Sequence, residues 1–161
     1  MKIAIVIYSN TGKTEAVAKR VQASLSSSHD ITIEKIIIKD EKPFETSKIS
    51  FDYVPDLEKY DALIFGAPVW AFRLTHVMKQ FFERNPKLED KPVAVYAMQG
   101  LPWAIFGGNR AIRTFKKYCK NAESCISAGI VSEKGHKKEV KFNRVVSNLI
   151  DFVRHVEKSH V

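Results

Sequence analysis

Residues 2–17 of the chain read KIAIVIYSNTGKTEAV, and this stretch decides how the rest of the sequence is interpreted. The apolar run at 3–7 is too short for a typical helix and predicts a buried strand. A short polar segment follows it. Apolar residues then recur at the spacing of a helix face, at Val17, Val21 and Leu25. The stretch therefore predicts a strand, a tight polar loop and a helix in succession.

The same alternation continues along the chain. Apolar, β-branched runs at 31–38, 62–65, 93–97 and 126–131 predict four more strands, and helical spacings separate most of them. This pattern favours a three-layer α/β architecture, in which helices cover both faces of a doubly wound, five-stranded parallel sheet. A chain of 161 residues buries one sizeable core, so we expect a single domain over residues 1–161.

One segment breaks the alternation. Residues 40–58 contain two prolines and scattered charges, which predict a long loop with at most a short helix. Whether this segment covers a site or forms an interface is open at this stage.

Composition argues against several classes of protein. The longest apolar runs have only five to six residues, whereas roughly 20 are needed to cross a bilayer, so we expect no membrane span. The 2 cysteines are too few for a disulfide framework and lack the short spacings of zinc sites. We therefore expect a protein of the reducing cytoplasm, with no bound metal.

The loop at 8–14, YSNTGKT, ends in the letters of a nucleotide-triphosphate loop but lacks its other requirements. That loop needs a glycine five residues before Gly12, where Ile7 stands within the predicted strand. No acidic residue ends the strands at 62–65 or 93–97 to hold magnesium. Hydroxyls beside the free amides of a helix start suit a phosphate monoester without metal. The alternative is simple helix capping by Ser9, Asn10 or Thr11.

Three segments resemble the flavodoxin family. Ser-Asn-Thr-Gly-Lys-Thr between a strand and a helix is similar to the family's FMN phosphate loop. Residues 60–70, YDALIFGAPVW, resemble its third strand and the loop that lays an aromatic residue against the isoalloxazine ring. Residues 103–108, WAIFGG, are similar to its second ring-binding loop. The resemblance spans almost the whole chain and implies a flavodoxin-like strand order of 2-1-3-4-5.

The resemblance implies FMN as the cofactor and assigns its contacts residue by residue. The phosphate would be held by Ser9, Asn10, Thr11, Gly12, Lys13 and Thr14. One wall of the ring site would consist of Pro68, Val69, Trp70 and Ala71, and the other of Met98, Gln99, Gly100 and Trp103. These loops follow the first, third and fourth strands, so they would converge at the topological switch point of the sheet.

Two redox functions agree with the resemblance. The first, which we expect, is an electron carrier in which FMN passes electrons between partners. The alternative is an FMN-dependent enzyme that takes hydride from NAD(P)H and reduces a quinone, with Arg73 and Arg110 receiving the phosphates. A third possibility is a binding module that keeps the fold without the cofactor. We expect a monomer or a homodimer.

Charge suggests the kind of partner. The formal net charge is +8, and residues 73–120 carry 10 basic against 3 acidic residues. Arg110, Arg113 and Lys117 lie opposite the apolar side of their predicted helix, which suits docking of an acidic redox partner. A solvated face without a partner is the alternative. No reading motif or interleaved aromatic residues indicate a nucleic-acid ligand.

The same region departs from the acidic flavodoxins that act as low-potential carriers. Residues 98–113 contain no Asp or Glu and two arginines. Positive charge stabilises the anionic, fully reduced flavin. We therefore expect a less negative potential for the second electron than an acidic flavodoxin has.

Overall fold

The structure is a computed structural model that describes residues 1–159. Strands and helices alternate through most of the chain. In order they are β1 (Lys2–Ile7), α1 (Lys13–Leu25), β2 (Asp30–Lys35), β3 (Ile37–Ile38), β4 (Phe51–Tyr53), β5 (Ala62–Trp70), β6 (Arg73–Leu74), α2 (His76–Glu83), β7 (Pro92–Gln99), α3 (Gly108–Tyr118), β8 (Ser124–Ser132) and α4 (Lys138–Ser159).

Five of the strands form a parallel sheet in the order β2-β1-β5-β7-β8. Counting only these parallel strands, the order is 2-1-3-4-5, which confirms the predicted flavodoxin-like α/β fold. β1, β5 and β7 are neighbours at the centre, as Ile5↔Ile64 and Ile64↔Ala94 pairing shows. The ends of these three strands therefore lie side by side at one edge of the sheet.

Two hydrophobic clusters cover the two faces of the sheet. Along β1 the side chains alternate, so that Ala4 and Val6 enter the cluster with α2 and α3, while Ile3 and Ile5 enter the cluster with α1 and α4. All four of these β1 side chains are fully buried. Helices on both faces were predicted from the strand–helix alternation, and the two clusters confirm them.

The second predicted strand is shorter than expected. The 31–38 run ends its parallel pairing with β1 at Lys35, and Ile36 donates the last backbone bond to Ile7, at 2.9 Å. Beyond Ile7 the neighbouring strand has ended, so Ile37–Ile38 leaves the sheet and pairs antiparallel with Phe51–Tyr53. The 40–58 segment thus contains a strand that the sequence did not predict, besides the short 3-10 helix Pro43–Glu45.

The third predicted strand is longer than expected. β5 continues to Trp70 and turns back through Ala71 and Phe72 into β6, which pairs with it antiparallel. Trp70 therefore lies in a strand and packs partly buried against a core cluster, whereas the sequence placed it in a loop. The turn residues have φ of 46° and 63°, values that usually require glycine or asparagine in a two-residue hairpin.

The helix after this hairpin, α2, begins at His76. Thr75 is the N-cap of α2, and its hydroxyl accepts a hydrogen bond from the Val77 amide at 3.3 Å. Arg73 itself belongs to β6. Among residues 1–159, no helix combines the length and hydropathy needed to cross a bilayer.

Candidate functional site at the carboxyl edge of the sheet

Three predicted segments meet where β1, β5 and β7 end. The Tyr8 ring, just after β1, lies edge-on to the Trp70 indole near the end of β5, with centroids 5.6 Å apart. The segment after β7 reaches the β5–β6 hairpin, because a Cβ on Gly107 would stand 2.5 Å from the Phe72 backbone. The structure therefore brings together the phosphate loop and the two ring loops that were predicted separately.

The loop predicted to hold the phosphate has free backbone donors at the start of α1. Gly12 adopts φ 81° as the N-cap, and the first helical bond runs from the Ala16 amide to the Gly12 carbonyl at 3.0 Å. No side chain caps this helix start, which removes the support for the simple capping alternative. Ser9 Oγ is buried without a hydrogen-bond partner in the described structure. An unpartnered hydroxyl beside free amides fits an oxyanion such as a phosphate.

The remaining predicted residues of this loop differ in exposure. Thr14 is buried, with 2% of its surface exposed, whereas Asn10, Thr11 and Gly12 are exposed. A Cβ on Gly12 would meet nothing within 4 Å, so the space above the loop is open. The loop is thus a shallow depression, with Thr14 buried at its base and the backbone at residues 10–12 open to solvent.

The Lys13 ammonium group forms an ion pair. Its ammonium bonds the carboxylate of Glu133, which directly follows β8, and the Glu133 amide donates to the Gln99 carbonyl at 2.8 Å. The pair ties the start of α1 to the ends of β7 and β8. Sequence reasoning missed Glu133, although it is the one acidic residue that directly follows a strand of the parallel sheet.

Tyr96 supports the phosphate loop from below. Its hydroxyl donates a hydrogen bond to the Thr14 carbonyl at 2.8 Å, and burial raises the pKa of this fully buried phenol. The ring fits because residue 66 is glycine, where a Cβ would lie 2.1 Å from Tyr96 Cζ. A lone glycine inside a buried strand run indicates such a close approach, and this signal was present in the sequence.

Trp70 has aromatic neighbours on several sides. The Phe44 ring lies 3.9 Å from it, centroid to centroid and inclined by 36°, and the His76 ring lies at 5.6 Å. Phe44 comes from the 3-10 helix of the 40–58 segment, so that segment covers part of the predicted ring site. A ring stacked on Trp70 would take the indole face that Phe44 leaves free or would displace Phe44.

Pro68, Val69 and Ala71 accompany Trp70 as predicted members of the first wall. Pro68 pairs with Met98 across β5 and β7, and Val69 is partly buried against the core. Ala71 is exposed at the hairpin turn. This wall is therefore the end of a strand and its turn.

The second predicted wall contains both buried and open residues. Met98 and Gln99 are buried, with 5% and 2% of their surfaces exposed, whereas Gly100 is exposed and Trp103 is 64% exposed. Gln99 Nε2 donates to the Leu101 carbonyl at 2.8 Å, and Gln99 Oε1 is buried without a partner in the described residues. The Trp103 ring lies 5.6 Å from Phe106.

The surface beside this wall is strongly basic. Residues 91–122 contain no Asp or Glu. Arg73, Arg110, Arg113 and Lys117 are all exposed, and none of them forms an ion pair within residues 1–159. Any anion near the 100–107 loop would thus be in a positive potential.

Comparison with known proteins agrees with this geometry. Residues 4–121 match a family model described as Flavodoxin domain. No curated protein matches the sequence.

Several solved structures have the same fold at low sequence identity. A WrbA-like flavodoxin from Agrobacterium tumefaciens has a TM-score of 0.71 at 15% identity, with 98% of each chain covered. Oxidised Flavodoxin 2 from Bacillus cereus has a TM-score of 0.66 at 18% identity, covering 96% of this chain and 99% of its own. Fusobacterium nucleatum flavodoxin bound to flavin mononucleotide has a TM-score of 0.64 at 12% identity, with 98% of each chain covered.

Proposed function

Because the chain belongs to the flavodoxin family, we propose that it binds FMN at the carboxyl edge of the sheet and acts in electron transfer. The observation that carries the proposal is the buried, unpartnered Ser9 hydroxyl beside the open helix start at Gly12. Similar structures described as complexes with FMN, from Fusobacterium nucleatum and Lactobacillus acidophilus, support it. Bound FMN would supply the one- and two-electron chemistry, and the polypeptide would bind and orient it.

The phosphate would bind through backbone amides and hydroxyls. The residues that would hold it are Ser9, Asn10, Thr11, Gly12, Lys13 and Thr14. Since the Lys13 ammonium is paired with Glu133, we assign Lys13 a contact through its backbone amide at the helix start. Tyr96 would hold the loop in place through the Thr14 carbonyl.

The flavin ring would lie between the two loops that follow β5 and β7. We assign Pro68, Val69, Trp70 and Ala71 to one wall and Met98, Gln99, Gly100 and Trp103 to the other. Gln99 Oε1 lies against Gly108, where a Cβ would stand 2.4 Å from it, so we assign Gln99 to this wall without a hydrogen bond to the ring. Met98 and Gln99 are the buried members of these walls, whereas the exposed Ala71, Gly100 and Trp103 would leave part of the ring open to solvent.

The partner would be an acidic redox protein that docks on the basic side of α3. Arg110, Arg113 and Lys117 are exposed there and form no ion pair within residues 1–159, and the neighbouring Ile105 side chain is 79% exposed. An apolar contact with a basic rim is a common form of interface. Opposite charge would steer the encounter towards the loop that we place beside the flavin.

The proposal is tested by FMN retention. We would add FMN to the purified protein, remove the excess by gel filtration and measure affinity from the quenching of flavin fluorescence. Ser9→Ala should weaken binding about fivefold, which corresponds to about 1 kcal/mol for one hydrogen bond. The matched control is Ser27→Ala, since Ser27 is exposed and its hydroxyl makes no hydrogen bond in residues 1–159. Failure of the unmodified protein to retain FMN would overturn the proposal.

One observation favours a second function, an FMN-dependent NAD(P)H oxidoreductase acting on a quinone. Arg73 in β6 and Arg110 in the first turn of α3 are exposed and form no ion pair within residues 1–159, and they could receive the phosphates of NAD(P)H. Steady oxidation of NAD(P)H with a soluble quinone by the FMN-loaded protein alone would support the enzyme. Reduction that proceeds only through a partner protein would support the carrier.

A further inference from the structure

A cavity of about 530 Å³ lies between the β5–β6 hairpin and the start of α2. Its walls combine aromatic rings, Phe44 and Trp70, with the nitrogen-bearing side chains of Arg73, His76 and Lys79. No carboxylate lines it. Ligand pockets of a few hundred Å³ with apolar walls and a few convergent polar groups are typical of small-molecule sites.

The basic groups of this cavity have no partner in the described structure. Arg73 and Lys79 form neither an ion pair nor a side-chain hydrogen bond within residues 1–159. His76 Nε2 is buried and lacks a hydrogen-bond partner. Buried polar atoms are almost always hydrogen-bonded, so an unpartnered one indicates a missing ligand or water. Two cationic side chains and one unpartnered imidazole nitrogen therefore line the same cavity.

The hairpin that carries two of these residues has an unfavourable turn. Ala71 and Phe72 both adopt positive φ without being glycine. This turn pairs Trp70 with Arg73 across the two strands, and both residues line the cavity. Unfavourable backbone conformations persist where the surrounding structure enforces them, and they concentrate at ligand sites.

We propose that this cavity binds a small planar anion, specifically an aromatic carboxylate. The carboxylate would accept hydrogen bonds from Arg73 and Lys79, with His76 Nε2 as a third contact, and the aromatic ring would pack on the Phe44 and Trp70 rings. The site is built entirely from protein side chains. The cavity shares Val69, Trp70 and Ala71 with the wall assigned to the flavin ring, whereas its nitrogen-bearing contacts, Arg73, His76 and Lys79, lie outside that wall, so anion binding is tested on the FMN-free protein as well.

The test uses 2-naphthoate as the probe and isothermal titration calorimetry as the measurement. The neutral isostere 2-naphthamide removes the charge, and acetate removes the aromatic ring. Both the FMN-loaded and the FMN-free protein are titrated. We expect 2-naphthoate to bind the FMN-free protein at least tenfold more tightly than 2-naphthamide or acetate does.

Substitutions then locate the site. Arg73→Gln and Lys79→Gln should each weaken 2-naphthoate binding at least fivefold. The matched controls Arg113→Gln and Lys117→Gln, on α3, should leave it unchanged, and far-UV circular dichroism checks that each variant is folded. In a ¹⁵N spectrum, the Trp70 indole N–H should shift on titration while that of Trp103 does not; Trp103→Phe assigns the two signals.

Several outcomes would overturn the inference. Equal affinity for 2-naphthamide would mean an apolar cleft without anion selectivity, and equal affinity for acetate would mean an anion contact without ring recognition. Binding only to the FMN-loaded protein would place the ligand on the flavin rather than in the cavity.

Failure of the two proposals can be told apart. If the protein did not retain FMN but still bound 2-naphthoate, the proposed function would be contradicted and this inference would stand.

Discussion

The Phe44 ring lies on the Trp70 indole, with the ring centroids 3.9 Å apart and the planes inclined by 36°. Phe44 is 61% exposed, whereas Pro43 beside it is buried, so this contact adds to the packing of Pro43 in holding the 3-10 helix Pro43–Glu45. The irregular segment between β3 and β4 thereby shapes the end of β5. Residues without a predicted role thus contribute to the candidate site.

Phe44→Ala should expose the indole and loosen this attachment. We expect a loss of about 1 kcal/mol in the free energy of unfolding, as is usual for an aromatic pair. The emission of Trp70 should also shift to longer wavelength, measured in the Trp103→Phe background where it is the remaining tryptophan. Ile105→Ala is the control, because Ile105 is 79% exposed. Unchanged emission in Phe44→Ala would contradict the packing described.

Gly66→Ala should be among the most destabilising single substitutions. The new methyl group would lie 2.1 Å from Cζ of the fully buried Tyr96 ring, so the ring or the strand must move. Overpacking of this kind should cost about 3 kcal/mol of unfolding free energy, measured by urea denaturation. Gly100→Ala is the control, since a Cβ there meets nothing within 4 Å. Equal stability of the two variants would disprove the contact.

Alkaline pH should destabilise the protein through Tyr60. Burial, together with a hydrogen bond to the Glu34 carboxylate, raises the pKa of Tyr60 to about 12 from an ordinary 10.0. The folded state therefore favours the neutral phenol, and its contribution is complete below pH 10. Between about pH 10 and 12 the unfolded chain ionises first, and about 2 kcal/mol of stability is lost.

The measurement for this prediction is the unfolding free energy of the unmodified protein and of Tyr60→Phe across that pH range. Tyr53 also donates to Glu34, and its pKa is raised as well, so some pH dependence will remain in the variant. The difference between the two proteins should shrink as pH rises. A constant difference would show that Tyr60 ionises normally.

The basic start of α3 should raise the potential of a bound flavin. Arg110→Gln combined with Arg113→Gln removes two exposed, unpaired charges. The potential for the second electron should become more negative, because positive charge stabilises the anionic reduced form. The control pair is Lys120→Gln with Lys158→Gln. Both residues are exposed; Lys120 follows the carboxyl end of α3, and Lys158 lies in the last turn of α4. If a redox titration gave equal shifts in potential for both pairs, the shift would reflect the net charge of the protein, and the predicted local effect of Arg110 and Arg113 would be wrong.

The central sheet was predictable from sequence because its strands are buried on both faces. Runs such as 3–7 and 93–97 are continuously apolar, and helices must cover them. The flavodoxin-like order followed from the resemblance of three loops. Their assignment to FMN contacts stays a prediction, although the structure brings them to one edge of the sheet.

The hairpin at the end of β5 was not predictable from local signals. Its turn uses Ala71 and Phe72 where glycine or asparagine is usual, so turn chemistry indicated nothing there. The pairing of Ile37–Ile38 with Phe51–Tyr53 depends on where β1 ends, which is a tertiary fact. The cavity beside Trp70 depends on both of these features, since Phe44 lies within the connection that the pairing closes.

The pair between Lys13 and Glu133 joins residues that are 120 positions apart in the chain. Glu133 lies beyond the 4–121 region that matches the family model, as do β8 and α4. During synthesis, the loop at 9–14 leaves the ribosome before its anchoring carboxylate, which emerges more than a hundred residues later. A nascent chain would therefore carry an incompletely anchored 9–14 loop until β8 and Glu133 had been translated.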